Sequence, residues 1–210
     1  MNQALSDDAL PRQPLQQRAK DRFERVLEEA EAVLLEAGLA GFSIPVLAQR
    51  LGYPRATIYK FFPTPYAILN ELLRRHLAQL EQDLALKAAS FPANQSWREV
   101  ATAVVHFAAE FHNANPVGRL LILGGPVTDE SYRTQEINIQ HLGSLARQLL
   151  ANQGIAVPQS PDVAVLAVDI ATTCFRQSVF LHGVITPEYR EEATYAMVAY
   201  LSRYAAASER

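Results

Sequence analysis

The stretch LGYPRATIYKFFPTPYAIL, residues 51–69, places two cations, a hydroxyl and a tyrosine within six positions. These side chains are Arg55, Thr57, Tyr59 and Lys60. Proline favours the first turn of a helix, so we expect a short helix from Pro54 to about Phe61. Ile58 and Phe62 lie four residues apart and should point inward. The four polar side chains must then occupy the outward arc.

A second short helix is predicted immediately before this one. Ser43 is a good N-cap, and Pro45 suits the first turn. Apolar residues repeat with helical spacing at Ile44, Leu47, Ala48 and Leu51. Gly52 ends this helix, and a longer helix from about Leu15 to Ala37 precedes it. Two short helices joined by a tight turn and packed on a longer one form a helix-turn-helix unit.

The short helix from Pro54 to about Phe61 has the dimensions to enter a DNA major groove. Arg55 and Lys60 can reach guanine edges or phosphates, and Thr57 and Tyr59 can donate hydrogen bonds to phosphate oxygens. The pattern by itself leaves a second interpretation open, in which these residues form the solvated face of an ordinary helical hairpin.

The charge distribution points to the same third of the chain. The net charge is −3, but residues 11–75 carry ten Lys and Arg against seven Asp and Glu. Residues 76–210 carry nine against thirteen. This small surplus indicates where an anionic partner would bind.

Composition indicates a globular protein of the cytoplasm. Hydrophobic residues make up 49% of the chain and charged residues 20%. A single cysteine, Cys174, excludes an internal disulfide framework. The first twenty residues lack the basic and apolar regions of a signal peptide, and no uninterrupted apolar stretch reaches the roughly 18 residues of a membrane span.

The segment FSIPVLAQRLGYPRATIYKFFPTPYAILNELL, residues 42–73, resembles the N-terminal domain of TetR-type (tetracycline-repressor-like) transcriptional regulators. The resemblance covers about residues 18–72 and rests on these positions: Leu47-Ala48, Gly52, Thr57-Ile58-Tyr59, Phe62 and Ile68-Leu69. It implies a homodimeric repressor that binds double-stranded DNA at a palindromic operator and is released by a small-molecule inducer. The implied DNA-binding residues are Ser43, Arg55, Ala56, Thr57, Tyr59 and Lys60. Two positions depart from the family pattern: Pro65 stands where a phosphate-contacting lysine is common, and Phe61 where a histidine or another polar or aromatic residue is frequent.

The whole chain is predicted to be all-α. Almost every segment has apolar residues three and four apart, with breaks at Gly and Pro and no alternating strand pattern. We expect a flexible arm at residues 1–14, the helix-turn-helix domain at 15–63, and a helical ligand-binding and dimerisation domain at 64–210. A long fourth helix from Pro65 to Ser90 would connect the last two, and Arg74, Arg75 and His76 on it are interpreted as a solvated polar face.

The C-terminal two thirds is expected to bind rather than to catalyse. The inducer is predicted to lie near His106, Phe107, Phe111, Leu121 and Phe175. The helices holding residues 162–182 and 187–207 would pair with a second subunit. The small-residue stripe Ala164, Ala167, Ala171, Cys174 and Ser178, with Tyr189, Met197, Tyr200 and Tyr204, suits such pairing, although packing within one chain would look similar.

An alternative class is a helical-bundle enzyme that binds a ligand or metal through His106 and Glu110, which lie four residues apart. A second Glu-x-x-His motif, which a di-iron bundle needs, is missing from the sequence. Cys174 and His182 are two turns apart, too far for a nucleophile–base pair. We therefore predict no catalytic residue, no metal and no cofactor, and salt-dependent binding to DNA would separate the two classes.

Overall fold

The computed structural model describes residues 10–92, 95–125 and 129–208, without the side chains of residues 130, 131 and 206–208. Within these ranges the fold is all-α, as predicted, and the strand-like pairing is a single isolated bridge between Gln159 and Asp162. The α-helices are α1 (Gln17–Ala37), α2 (Ile44–Leu51), α3 (Arg55–Tyr59), α4 (Pro65–Ala89), α5 (Trp97–Ala114), α6 (Pro116–Leu123), α7 (Asp129–Asn152), α8 (Val163–His182) and α9 (Pro187–Ser208). We call α1 to α3 the reader and α5 to α9 the body.

The reader is a packed three-helix unit. Its fully buried side chains come from all three helices and the turn after them: Val26, Ala30, Ile44, Leu47, Ile58 and Phe62. Phe23 of α1 stacks on Phe62 with ring centroids 4.6 Å apart. This contact fixes the turn after α3 against α1 and so sets the direction in which α3 faces.

The ends of the reader helices follow local chemistry. The Ser43 hydroxyl accepts from Val46 N at 3.4 Å, as expected of an N-cap, and Gly52 ends α2 with φ 66°. That left-handed backbone is the conformation in which glycine is favoured. Helix α1 begins at Gln17 rather than Leu15, whose side chain is 93% exposed and so has no packing to hold it in a helix.

Helix α4 joins the reader to the body. Thr64 caps it through Ala67 N at 3.2 Å, and Pro65 occupies its first turn. Its first half packs into the same core as the reader, whereas Leu80 and Leu84 belong to a second cluster in the body. Buried residues of the reader and body form one contiguous cluster, so α4 is shared and the predicted boundary at residue 63 stays a prediction.

The predicted N-terminal arm is only partly described, because residues 1–9 lie outside the described ranges. Within residues 10–14, the backbone N–H of Arg12 donates to the Phe61 carbonyl at 2.7 Å. This part of the arm therefore lies against the turn that follows α3.

The body helices pack closely at α7 and α8. A Cβ at Gly143 would lie 2.4 Å from Cγ2 of Val165, so the approach of the two helices requires glycine there. Helix α5 begins with a complete capping box between Ser96 and Glu99.

Helix α8 is, by length and composition, apolar enough to cross a membrane. In this fold it packs against α7 and α9. About 33% of this apolar stretch is buried, so packing against α7 and α9 accounts for only part of its apolar composition.

Candidate nucleic-acid interface and cavity

The surface of α3 is the candidate DNA interface. Ile58 is fully buried, whereas Arg55, Tyr59 and Lys60 are exposed and Thr57 is half-buried. Together with Ala56, also exposed, these four residues form what we call the reader face. The outward arc expected from helical spacing is therefore present, and contact of these side chains with DNA stays a prediction.

Ser43 lies at the start of α2 and is half-buried. The Ser43 hydroxyl oxygen accepts a hydrogen bond from Val46 N, so Ser43 has a structural role as the N-cap of α2. A hydroxyl has one donor besides its acceptor lone pairs, so capping leaves the Ser43 O–H able to donate to a phosphate.

Arg50, a cation of the reader outside the reader face, is held by carboxylates of the same chain. Arg50 of α2 pairs with Glu29 and Glu36 of α1, each at 2.5 Å. These contacts tie α2 to α1. The guanidinium of Arg50 therefore serves the packing of the reader, unlike the cations of the reader face.

Arg74 and Arg75 are also paired; Arg74 is exposed, as predicted for a solvated face, whereas Arg75 is half-buried. Both donate to Glu71, whose side chain is only 2% exposed, and Arg75 also donates to Glu24 of α1. Burial opposes ionisation of Glu71, but the two arginine hydrogen bonds outweigh it and lower its pKa below the ordinary value. This network links α4 to α1.

His76 makes a second link between helices. Its Nε2 lies 3.1 Å from a Glu31 carboxylate oxygen of α1. On its other side, a Cβ added at Gly118 of α6 would lie 3.0 Å from the His76 ring. His76 is therefore enclosed between α1 and α6 rather than solvated, and it connects the reader to the body.

The two departures from the family pattern have structural roles. The Phe61 ring packs edge-on to Phe23, with centroids 6.0 Å apart, so an aromatic here extends the reader core. Pro65 begins α4 after the Thr64 cap, where a missing N–H costs nothing. Both positions support the packing and start of helices.

The body contains a cavity of about 110 Å³, lined by α4, α5, α7, α8 and α9. Among the described residues, its wall is almost entirely aliphatic or aromatic and contains no Asp, Glu, Lys or Arg. Two nitrogen atoms in the wall, Trp97 Nε1 and His112 Nδ1, are buried with no hydrogen-bond partner. Burial and the charge of Arg119 lower the pKa of His112 to about 4, so its ring is neutral near pH 7.

Of the five residues predicted to contact a ligand, Phe175 lines this cavity. Phe107 and Phe111 belong to a neighbouring hydrophobic cluster with Leu80 and Leu84, and Leu121 lies on α6. His112, which lines the cavity, was not among the residues predicted from the sequence to contact a ligand. The α5 spacing of Trp97, Val104, Val105, Ala108 and His112, which share one face, was the available signal.

The alternative His106–Glu110 site is arranged differently from the sequence hypothesis. His106 Nε2 lies 3.2 Å from a Glu191 oxygen of α9, without the alignment of a hydrogen bond. Glu110 is exposed. In the described part of the chain, no three His, Cys, Asp or Glu side chains come together in a way that could hold a metal.

The predicted pairing surface of α8 and α9 needs correction. Ala164, Ala167, Ala171 and Ser178 are buried inside the chain, and Cys174 is half-buried against the same core. Met197 is also buried and lines the cavity. The small residues serve packing within the body, an outcome that helical periodicity could not separate from pairing between chains.

A different set of apolar side chains is exposed on these helices. Phe180 is 82% exposed and Tyr195 is 74% exposed. Leu166 and Leu181 of α8 and Val184, just after α8, are also exposed. We call these five residues the exposed apolar set. Singly exposed apolar side chains are common on protein surfaces, whereas a contiguous patch of them is typical of an interaction site.

Comparisons with known proteins agree with this arrangement. Residues 26–72 match the family model for bacterial regulatory proteins of the tetR family. That segment runs from α1 through the reader face into α4. Among curated protein sequences, none matches the chain.

Solved structures with the same fold cover nearly the whole chain. A TetR-family transcriptional regulator from Streptomyces coelicolor has a TM-score of 0.62 and 20% identity, covering 87% of this chain and 99% of that one. SmeT, the repressor of the Stenotrophomonas maltophilia multidrug efflux pump SmeDEF, has a TM-score of 0.62 and 15% identity, covering 86% and 89%. AmtR from Mycobacterium smegmatis has a TM-score of 0.52 and 22% identity, covering 91% and 89%.

The three helices of the reader, with the polar face of α3 outward, have the arrangement of a helix-turn-helix domain. Over residues 26–72 the chain is similar to bacterial regulatory proteins of the tetR family, and its fold is similar to that of solved TetR-family regulators.

Proposed function

We propose that the protein is a cytoplasmic homodimeric repressor that binds a near-palindromic operator and leaves it when a small molecule fills the body cavity. The observation that carries this proposal is the course of α4. Its N-terminal half is buried with the reader, at Ile68 and Leu72, and its C-terminal half lines the cavity at Leu80 and Leu84. A ligand in the cavity therefore touches the helix that supports the reader.

The reader faces of two subunits must enter successive major grooves, about 34 Å apart. A ligand weakens DNA binding only if it prefers a state with a different separation. We propose that α4 tilts about the break at Pro63-Thr64-Pro65 when the cavity is filled. Helix α6 would follow, because it contacts α1, α4, α5 and α8.

The salt dependence of the affinity for a generic DNA duplex tests whether the protein binds DNA. A reader that neutralises Z phosphates should show log K falling with log salt at a slope of about −0.9Z. Arg55→Ala should make the slope shallower, whereas Arg133→Ala, which removes an exposed charge from α7, should leave it unchanged. A flat salt profile for the unmodified protein would contradict DNA binding and favour the helical-bundle enzyme.

The dimer is proposed to form through α8 and α9, with the exposed apolar set at its centre. Large aromatic side chains dominate binding energy at such centres, so Phe180→Ser should weaken the dimer by roughly 2 kcal/mol or more. Sedimentation equilibrium measures this directly. Leu35→Ser, which changes an exposed leucine on α1, is the control. A stable monomer of the unmodified protein at micromolar concentration would contradict the proposal.

A further inference from the structure

The cavity of the body follows most of the length of α5. Helix α5 lines it with side chains from Trp97, in its first turn, to His112, in its last. These residues are fifteen positions apart, so at about 1.5 Å per residue their Cα atoms are separated by about 22 Å. A volume of about 110 Å³ distributed along such a length favours a slim molecule over a globular one.

Each end of the cavity has a polar atom without a partner. The indole N–H of Trp97 can only donate, and Nδ1 of His112 donates or accepts according to its tautomer. Both atoms are buried and unpaired, and His112 as a whole is only 4% exposed. Unpaired buried polar atoms destabilise a fold, and a few convergent polar groups in an apolar wall are typical of ligand sites.

The wall also restricts the charge of a ligand. Of its polar side chains, Thr172 already donates to the Val168 carbonyl at 2.9 Å, and Gln153 carries no charge. The guanidinium of Arg98 lies 4.6 Å from the centre of the Trp97 ring but does not line the cavity. A carboxylate or ammonium group inside the cavity would therefore be an unpaired buried charge.

We propose that this cavity binds a slim, neutral, unbranched lipophile with a hydroxyl or carbonyl oxygen at one end, bound by Trp97 Nε1 or His112 Nδ1. The chain of the ligand lies along α5, against Val104, Val105 and Ala108. This assignment rests on the proposed function, because it names the ligand class whose binding releases DNA.

Three probes of similar carbon number test shape and charge. They are 1-decanol, which is slim and neutral, 1-adamantanol, which is globular and neutral, and decanoate, which is slim and charged. Trp97 is the only tryptophan in the chain, so its fluorescence reports binding at that end, and calorimetry gives the affinities. We expect saturable binding of 1-decanol, at least about tenfold weaker binding of decanoate, and no binding of 1-adamantanol.

Variants of the two polar ends test the headgroup contact. One of the two variants, Trp97→Phe or His112→Leu, removes the group that binds the hydroxyl. That variant should reduce the affinity for 1-decanol about tenfold, as measured by calorimetry. Ala108→Phe should block the middle of the cavity, and Ala108→Val, a milder change, serves if the larger side chain prevents folding. Leu35→Ala on the outer face of α1 is the control and should bind 1-decanol normally.

The outcomes separate this inference from the release proposal. Equal binding of 1-adamantanol, tighter binding of decanoate, or unchanged 1-decanol affinity in both polar-end variants overturns the ligand class, whatever happens to DNA. Binding of 1-decanol with the expected variant pattern, but with no change in DNA affinity, supports the ligand class and overturns ligand-driven release. No binding of 1-decanol overturns the ligand class.

Discussion

In the reader, Phe23 and Phe62 stack 4.6 Å apart over a fully buried Ile58, and the polar side chains of α3 point outward. In the body, five helices enclose a cavity of about 110 Å³ that contains two unpaired nitrogen atoms. The same kind of amphipathic helix thus forms a filled core in one region and an incompletely filled one in the other. A filled core holds the reader face in one geometry, whereas a cavity gives the body room to respond to a ligand.

The largest expected effect lies in the reader core. Phe62→Ala should lower the free energy of unfolding by about 3–5 kcal/mol, because a fully buried ring leaves a cavity where close packing is lost. Chemical denaturation measures the change. Leu35→Ala, on the exposed side of α1, should stay within about 0.5 kcal/mol. A small effect of Phe62→Ala would mean that the reader core tolerates a cavity, as the body does.

The next effect should appear in the body as a pH dependence of stability. The pKa of His112 is about 4 in the folded protein against an ordinary 6.5, so the unfolded chain takes up the proton first. This shift contributes at most about 3 kcal/mol to the free energy of unfolding. The contribution is fully present above pH 6.5 and is lost as pH falls to about 4. Between pH 6.5 and 5 the contribution of His112 to stability should change alone, because Glu71, with its lowered pKa, takes up a proton only in more acidic solution.

Chemical denaturation across that pH range, with His112→Leu beside the unmodified protein, checks the assignment. The variant should have a flatter profile, whereas His141→Leu, at an exposed position of α7, should not differ from the unmodified protein. All five histidines lie outside residues 15–63, so this pH dependence would distinguish the body from the reader. An unchanged slope in His112→Leu would contradict the neutral buried ring.

A moderate effect is expected on the reader face. Arg55→Ala or Lys60→Ala should each cost roughly 1–3 kcal/mol of operator affinity if the side chain contacts a base edge. Tyr59→Phe should weaken all DNA sequences alike if its hydroxyl contacts phosphate. Binding to duplexes selected from a random library measures both. Folded variants that all bind as tightly as the unmodified protein would show that α3 does not contact DNA.

The smallest effect compares two helix starts, one in each region. Ser96→Ala should cost about 1 kcal/mol of unfolding free energy, because it removes the complete capping box of α5. Ser43→Ala should cost less, since its bond to Val46 N is long, at 3.4 Å, and has no reciprocal partner. Ser144→Ala, on an exposed turn of α7, should be nearly neutral. The reverse order in thermal unfolding would show that the α2 cap is the stronger one.

The sequence by itself determined the reader. Ser43, Gly52 and Pro54 act on their own neighbours in the chain, and a buried Ile58 forces Arg55, Tyr59 and Lys60 outward because helical geometry is local. The start of α5 at its capping box and the all-α class follow from the same local rules.

Only the tertiary structure decided which faces of the body helices meet. Periodicity shows that Ala164 and Ala171 share a face of α8 with Ser178, but not whether that face meets α9 or a second chain. Likewise, the ion pair of Arg75 with Glu24 and the burial of the unpaired His112 nitrogen depend on helices far apart in sequence. Packing between such helices depends on the fit of many side chains at once. The spacing of apolar residues within one helix does not determine that fit.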